Sequence, residues 1–345
     1  MKKILFTLAA LAMIMVSCTQ DNLEIEAQEN RTFTVSAAMP EANDNAQTRV
    51  SLTPDAESGS YGLELKWEND DKLMLCFDHD GTYYHNDAPI VASTISTDGK
   101  TAQFAITIPT EIPTDATFNL YGVYQKTNTW YATNGGYFKG GTKLYELENS
   151  EEECITLDEM GSAGKGIARP MLYFSQANIV NSSEPAIALI NLKHSGWMMA
   201  LHFKNSSGVE INLPSTIQIA YSSSNPVKIL NGYHGGEALT FDADTKVFSG
   251  GSTNASNTST IYFSINQFGY DWLPLYGNTL LAGESIVFYR WLVSSSLEIP
   301  SFTSTSVYLN GEKKPSTNLS GKTVELGKVY HIGLIWDGTD LTWGF

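Results

Sequence analysis

Arg31-Thr-Phe-Thr-Val-Ser-Ala-Ala-Met39 puts Phe33, Val35, Ala37 and Met39 on one face of an extended chain and Thr32, Thr34, Ser36 and Ala38 on the other. That period of two predicts a β-strand buried on one side. The next stretch, Pro40-Glu-Ala-Asn-Asp-Asn-Ala-Gln-Thr48, carries turn-favouring Pro, Asn and Asp and no large apolar group, so it predicts an exposed loop. It ends at Arg49, the only basic residue between Arg31 and Lys66. A surface arginine on a loop is the plain reading, since loops tolerate such residues and nicking concentrates there. The sharper reading is that the strand is built to be cut loose.

Upstream, Lys2 and Lys3 precede an apolar run, residues 4–16, that is too short to span a bilayer. Its charged start and small-residue exit are those of a secretory signal. The run ends Met15-Val-Ser-Cys18, a small residue immediately before a cysteine, and so resembles a bacterial lipoprotein box. The resemblance makes residues 1–17 the signal peptide and Cys18 the acylated N-terminus, with no transmembrane helix in the mature protein. An ordinary signal with a cysteine near its cleavage site is the other reading. Residues 19–30 are polar and acidic, a flexible tether in either case.

The formal net charge of -16 becomes more negative once Lys2 and Lys3 leave. Such acidity argues against nucleic acid or an anionic membrane surface as partner. About 300 residues then remain for folded structure, more than one sandwich uses, which predicts two domains of roughly 150 each. Aromatics, Thr, Ser and Gly are plentiful and long helical patterns are absent, so the chain reads as all-β. Short apolar or alternating runs recur at residues 63–67, 72–77, 101–108, 118–125, 197–204, 216–221, 284–293 and 329–336. Gly, Pro, Asn and Asp separate them at the spacing of a sandwich or barrel. Residues 178–185, polar and closed by a proline, divide a first domain, residues 31–183, from a second, residues 184–345. Residues 127–142 read as a long hairpin loop and residues 161–166 as a glycine-rich loop.

Catalytic and metal signals are weak, and the expectation is a protein without enzyme activity, metal or cofactor. Asp78-His-Asp-Gly81 resembles the start of a calcium loop, but Pro89 stands where a bidentate Glu should close it, so a solvated turn is expected. The six histidines lack metal-ligand spacing, and His194 in an apolar strand reads as a hydrogen-bonded structural residue. The glycine-rich loop lacks P-loop spacing, and no Gly-x-Ser-x-Gly elbow occurs. Paired carboxylates of an all-β glycosidase would lie far apart in sequence and stay open. Cys76 and Cys154 read as packing residues, a disulfide between them being the other option in an exported protein.

Three short motifs fall in a telling order: Trp67-x3-Asp71-Lys-Leu73, then Leu192-Lys-His194 leading into an apolar strand, then Leu326-Gly-Lys-Val-Tyr330-x-Ile332. This order resembles the fimbrillin family of Bacteroidales surface proteins, the subunits of type V pili. The Thr48-Arg49 dipeptide ahead of a strand and the lipoprotein box belong to the same pattern, and the resemblance covers nearly the whole chain. It implies two tandem transthyretin-like β-sandwich domains, export to the outer membrane as a lipoprotein, and cutting by an arginine-specific surface protease. On this sequence the scissile bond would be Arg49-Val50, and the segment 18–49, with its first strand, would leave. The groove left open would take a strand from another fimbrial subunit, self or related, in an extracellular fimbrium. A sheet missing a strand exposes apolar pockets and unpaired backbone groups, and an added strand satisfies both. A glycan or protein receptor on a host or bacterial surface is the further partner the resemblance implies.

The donor is sought at the other end. Leu341, Trp343 and Phe345 alternate with Asp340, Thr342 and Gly344 after the turn signal Asp337-Gly338, so large side chains share one face, as a row of pockets requires. An ordinary final hairpin folded on its own domain fits the same residues. The alternative function is a non-polymerising, glycan-binding surface lipoprotein with Trp130, Tyr131, Tyr137 and Phe138 as stacking platforms. Those aromatics equally suit packing over the base of their loop.

Overall fold

Burial along the strands distinguishes two kinds of sheet in the computed structural model. It describes residues 31–40, 49–54, 61–125, 136–147, 164–167, 170–214, 216–222, 227–229, 238–250, 258–264, 279–294, 304–314 and 326–343. Apart from a short 3-10 turn at Ala92–Thr94, the described elements are strands, so the chain is all-β.

With strands numbered along the chain, β1 (Arg31–Ala38) lies between β6 (Thr101–Ile108) and β12 (Ile190–Asn191). The residues of β1 and β6 alternate between core and solvent, the signature of a sheet covered on one face. Facing it across a shared core is a five-stranded sheet in the order β13 (Lys193–His194), β11 (Met171–Val180), β7 (Thr117–Gln125), β4 (Lys72–His79), β5 (Thr82–Pro89). Here Leu73, Leu75 and Phe77 of β4 enter that core while Met74 and Cys76 between them enter a second one. A strand buried on both faces loses its polar alternation, which is why residues 73–77 are continuously apolar. Gly122 in β7 is demanded by this packing, because a Cβ there would lie 1.9 Å from Phe174 Cε1.

The second half repeats the scheme. A six-stranded sheet runs β10 (Gly164–Ile167), β22 (Ser285–Ser294), β14 (Trp197–Asn205), β25 (Val329–Trp336), β26 (Leu341–Trp343), with β17 (Val227–Ile229) also on β22. It shares a core with a four-stranded sheet, β20 (Thr258–Ser264), β16 (Thr216–Ser222), β23 (Ser304–Leu309), β24 (Glu312–Lys314). β14 sends Trp197, Met199, Leu201 and Phe203 into that core and Met198 and Ala200 out of its other face. A third cluster therefore fills the space between the five- and six-stranded sheets. A small sheet built from both halves helps to line it: β19 (Val247–Ser249), β18 (Thr240–Asp242), β9 (Leu144–Glu146), β8 (Tyr137–Phe138). Two ribbons complete the set, β2 (Arg49–Pro54) with β3 (Tyr61–Glu64) and β15 (Ile211–Asn212) with β21 (Thr279–Leu280).

Strand membership crosses the expected seam at residues 178–185 in both directions. β12 and β13, which follow it, pair with β1 and β11, whereas β10, which precedes it, pairs in parallel with β22. The stretch 161–166, read from sequence as a loop, thus ends inside a strand.

Candidate functional site

The site is β1 in its groove. Along its whole length β1 pairs antiparallel with β6, from Arg31 opposite Ile108 to Ala38 opposite Thr101, and at its end it runs parallel to β12 through Ala37 and Ala38. Its alternation is the expected one: Val35, Ala37 and Met39 are buried, Phe33 is half-buried, and Thr32, Thr34 and Ser36 are exposed. Val35 lies opposite Phe104, whose ring meets the edge of Trp67 at 4.8 Å, and Trp67 in turn meets Tyr124 at 5.0 Å. Burying such side chains stabilises by about 1.5–3 kcal/mol each, so β1 is held firmly although it begins and ends near the surface.

Polar contacts fix both ends. The Arg31 guanidinium donates to Thr114 Oγ1 at 2.8 Å and to the Asn181 carbonyl at 3.2 Å. Met39 N–H donates to the Lys100 carbonyl at 2.9 Å, and Leu192 N–H to that of Ala38 at 3.2 Å. The Arg31 contacts were not legible from sequence, because Thr114 and Asn181 lie 83 and 150 residues away.

Arg49 and Val50 open β2 rather than sitting in mid-loop. Arg49 and Ser51 both stand opposite Glu64, which leaves Val50 as the extra residue of an irregular ladder. The ribbon of β2 with β3 pairs with no further strand among the described residues, although β3 approaches β25. Residues 41–48, the rest of the expected loop, lie outside the described residues, as do Cys18, Cys154, Trp130, Tyr131 and Phe345.

The three motifs gain physical roles. Asp71 Oδ2 accepts from Glu68 N–H at 2.7 Å, closing the turn after Trp67, and its Oδ1 accepts from the Tyr124 hydroxyl at 3.1 Å. His194 and Gly327, from the second and third motifs, meet: Gly327 has φ +76°, and a Cβ there would lie 2.4 Å from His194 Cδ2. The His194 ring also leans on Trp291, centroids 6.2 Å apart. Contrary to the expected hydrogen-bonded histidine, its Nδ1 is buried with no partner among the described residues. Burial, assisted by the Lys100 charge, pushes its pKa down to about 4.

At the C-terminal end, Asp337 Oδ1 accepts from the N–H groups of Thr339 and Asp340, both at 2.7 Å, closing the turn between β25 and β26. Leu341 is 2 % exposed in the core of its own half, and Trp343 stands opposite Leu334 in the ladder. Of the candidate stacking aromatics, Tyr137 is exposed and donates to Glu146 at 3.2 Å, but Phe138 is buried, stacked on His85 at 5.4 Å, and offers no platform. Asp78-His-Asp-Gly81 is the tight turn between β4 and β5, with positive φ at Asp80 and Gly81 and Asp78 Oδ1 accepting from Gly81 N–H. Cys76 is a buried free thiol, pushed up to about 12 by desolvation and by Asp78.

No protein-family model matches the chain, and no curated protein matches it. Among solved structures it is similar to a candidate cell adhesion protein from Bacteroides ovatus, with TM-score 0.40, 12% identity, and 92% of this chain and 96% of that chain covered. A candidate cell adhesion protein from Bacteroides uniformis gives TM-score 0.41, 10% identity and coverage of 91% and 95%. The fimbrial anchor protein Mfa2 from Porphyromonas gingivalis gives TM-score 0.36, 15% identity and coverage of 88% and 90%.

Proposed function

We propose that this chain is a subunit of a cell-surface fimbria that supports adhesion. In this reading it is exported, lipidated at Cys18, held at the outer membrane, cut after Arg49, and assembled by exchange of β1 for a strand of another subunit. The observation that supports the reading is the placement of β1: a full-length strand between two others, followed by residues 41–48 and then a two-stranded ribbon that starts at Arg49. Cutting alone does not empty the groove, because β1 stays bound by its ladder and apolar face. It removes the covalent link, so that an incoming strand displaces β1 for good.

The test is limited digestion of the folded mature protein with an arginine-specific protease, followed by mass spectrometry and sizing. Cleavage confined to Arg49-Val50, with larger assemblies once partner subunits are added, is the expected result, and Arg49→Gln should resist it. A chain that is cut there yet keeps β1 when partners are added speaks instead for a tethered, non-polymerising lipoprotein.

A further inference from the structure

Granted that β1 is released as proposed above, the groove itself specifies its replacement. We propose that the groove between β6 and β12 takes a strand from a different polypeptide, carrying a small residue opposite Ala102, and rejects the C-terminal strand of this chain.

Direction and spacing come from the ladders. A replacement must run antiparallel to β6 and parallel to β12, placing alternate residues where Phe33, Val35, Ala37 and Met39 now sit. These places differ in room. Phe33 is only half-buried, so its place tolerates variation. Ala37 is 0% exposed and faces Ala102 at 2%, two methyl groups meeting across the ladder, with Ile190 at 0% beside them in β12. A closed site that holds one methyl cannot take a larger side chain without displacing its walls.

The C-terminal strand has the wrong sizes for this row. Its inward candidates, Leu341, Trp343 and Phe345, are all large. Every register that fills the Ala37 place with one of them forces Leu, Trp or Phe into it. The register that ends with Phe345 at the Val35 place leaves the Ala37 and Met39 places empty, and the one with Leu341 at the Met39 place sets Thr339 at the Ala37 place but drives the Asp337 carboxylate into the buried Val35 place. A second observation points the same way: Leu341 is already buried in its home core, with β26 laddered onto β25. The partner is therefore a strand of another chain, apolar at alternate positions, small at the third, with Ser or Thr-like residues facing outward as Thr32, Thr34 and Ser36 do.

The test uses the mature chain cut after Arg49 and challenged with synthetic peptides: residues 31–39, the same peptide with Ala37→Trp or with Thr34→Trp, and residues 337–345. The first and the Thr34→Trp peptide should exchange into the groove. Ala37→Trp should bind about tenfold more weakly or worse, and the tail peptide should show no saturable binding. In the intact chain, Ala37→Trp should lower the Tm by several degrees and Thr34→Trp should not. Tail binding equal to that of residues 31–39, or equal behaviour of the two Trp variants, overturns the inference while leaving a releasable strand in place. If no peptide ever displaces β1 after the cut, yet Ala37→Trp still lowers the Tm, the release reading fails and takes this inference with it.

Discussion

His194 joins a buried Nδ1, unpartnered among the described residues, to a pKa pushed down to about 4 by burial and by Lys100, against an ordinary 6.5. The folded chain thus keeps this imidazole neutral over a range in which the unfolded chain protonates it. Stability is full above pH 6.5 and falls as the pH drops towards 4, where the loss levels off at about 3 kcal/mol. Carboxyls held low by hydrogen bonds, such as Asp98, Asp244 and Asp337, lose their contributions only at more acid pH, so between pH 6.5 and 5 the difference in slope between the native sequence and a His194 variant reports on His194. Urea midpoints measured across that window should slope in the native sequence and flatten in His194→Phe. An unchanged slope in the variant would mean that the ring is solvated when folded. The motif Leu192-Lys-His194 was visible in sequence, but its purpose was not. His194 and Gly327 sit far apart in the chain, and nothing in either motif states that one glycine lacks a Cβ for the sake of that ring.

Among the elements, strands with one wet face were the most legible. β1 and β6 announce themselves by alternation, and the apolar face of β1 is the buried one. β4, β7 and β14 were readable as strands from apolar content, but a strand buried on both faces does not say which core each face enters. β5 carries Tyr83, Tyr84, His85 and Asn86 at half-burial, an edge pattern with no apolar period, and the short β18 and β19 have too few residues to show one. For β26 the alternation of Leu341 and Thr342 was readable, while its destination was not, because a tail has the same pattern at home or on a neighbour. In the single chain Leu341 is buried and Thr342 exposed. Leu341→Ala should therefore destabilise the isolated protein by about 2–5 kcal/mol in equilibrium denaturation, and Thr342→Ala by no more than about 0.5. Equal small effects would mean that the tail leaves its own core in solution.

At the scale of the whole molecule, the cluster between the five- and six-stranded sheets decides whether the two halves unfold together. It takes Met74, Cys76 and Tyr173 from one sheet and Met198, Trp291 and Val293 from the other, with Phe241 and Phe248 from the shared small sheet. Its rim carries charge: Lys143 pairs with Asp244 at 2.6 Å, and Lys246 donates to the Ala243 carbonyl and lies over the rings of Tyr121 and Tyr173 at 5.3 and 5.5 Å. A partly exposed ion pair such as Lys143–Asp244 contributes little, so the apolar contacts carry most of the coupling. Phe241 is 0% exposed, its ring 5.5 Å from Tyr173 and 4.8 Å from Phe248, and it reaches into the cluster from the second half of the chain. Removing it should cost about 3–5 kcal/mol, charged to the contact between halves rather than to either half's own core. The native protein should unfold in one calorimetric transition, and Phe241→Ala should split it in two. Phe104→Ala, which opens a cavity of the same kind within the core around β1, should only lower a single transition or the first of its halves. If Phe241→Ala shifts one undivided transition as Phe104→Ala does, the halves are coupled elsewhere, through β12 and β13 on one side and β10 on the other. Release of β1 would then loosen the second half as well, since β12 is one of those links and β1 is what it pairs with.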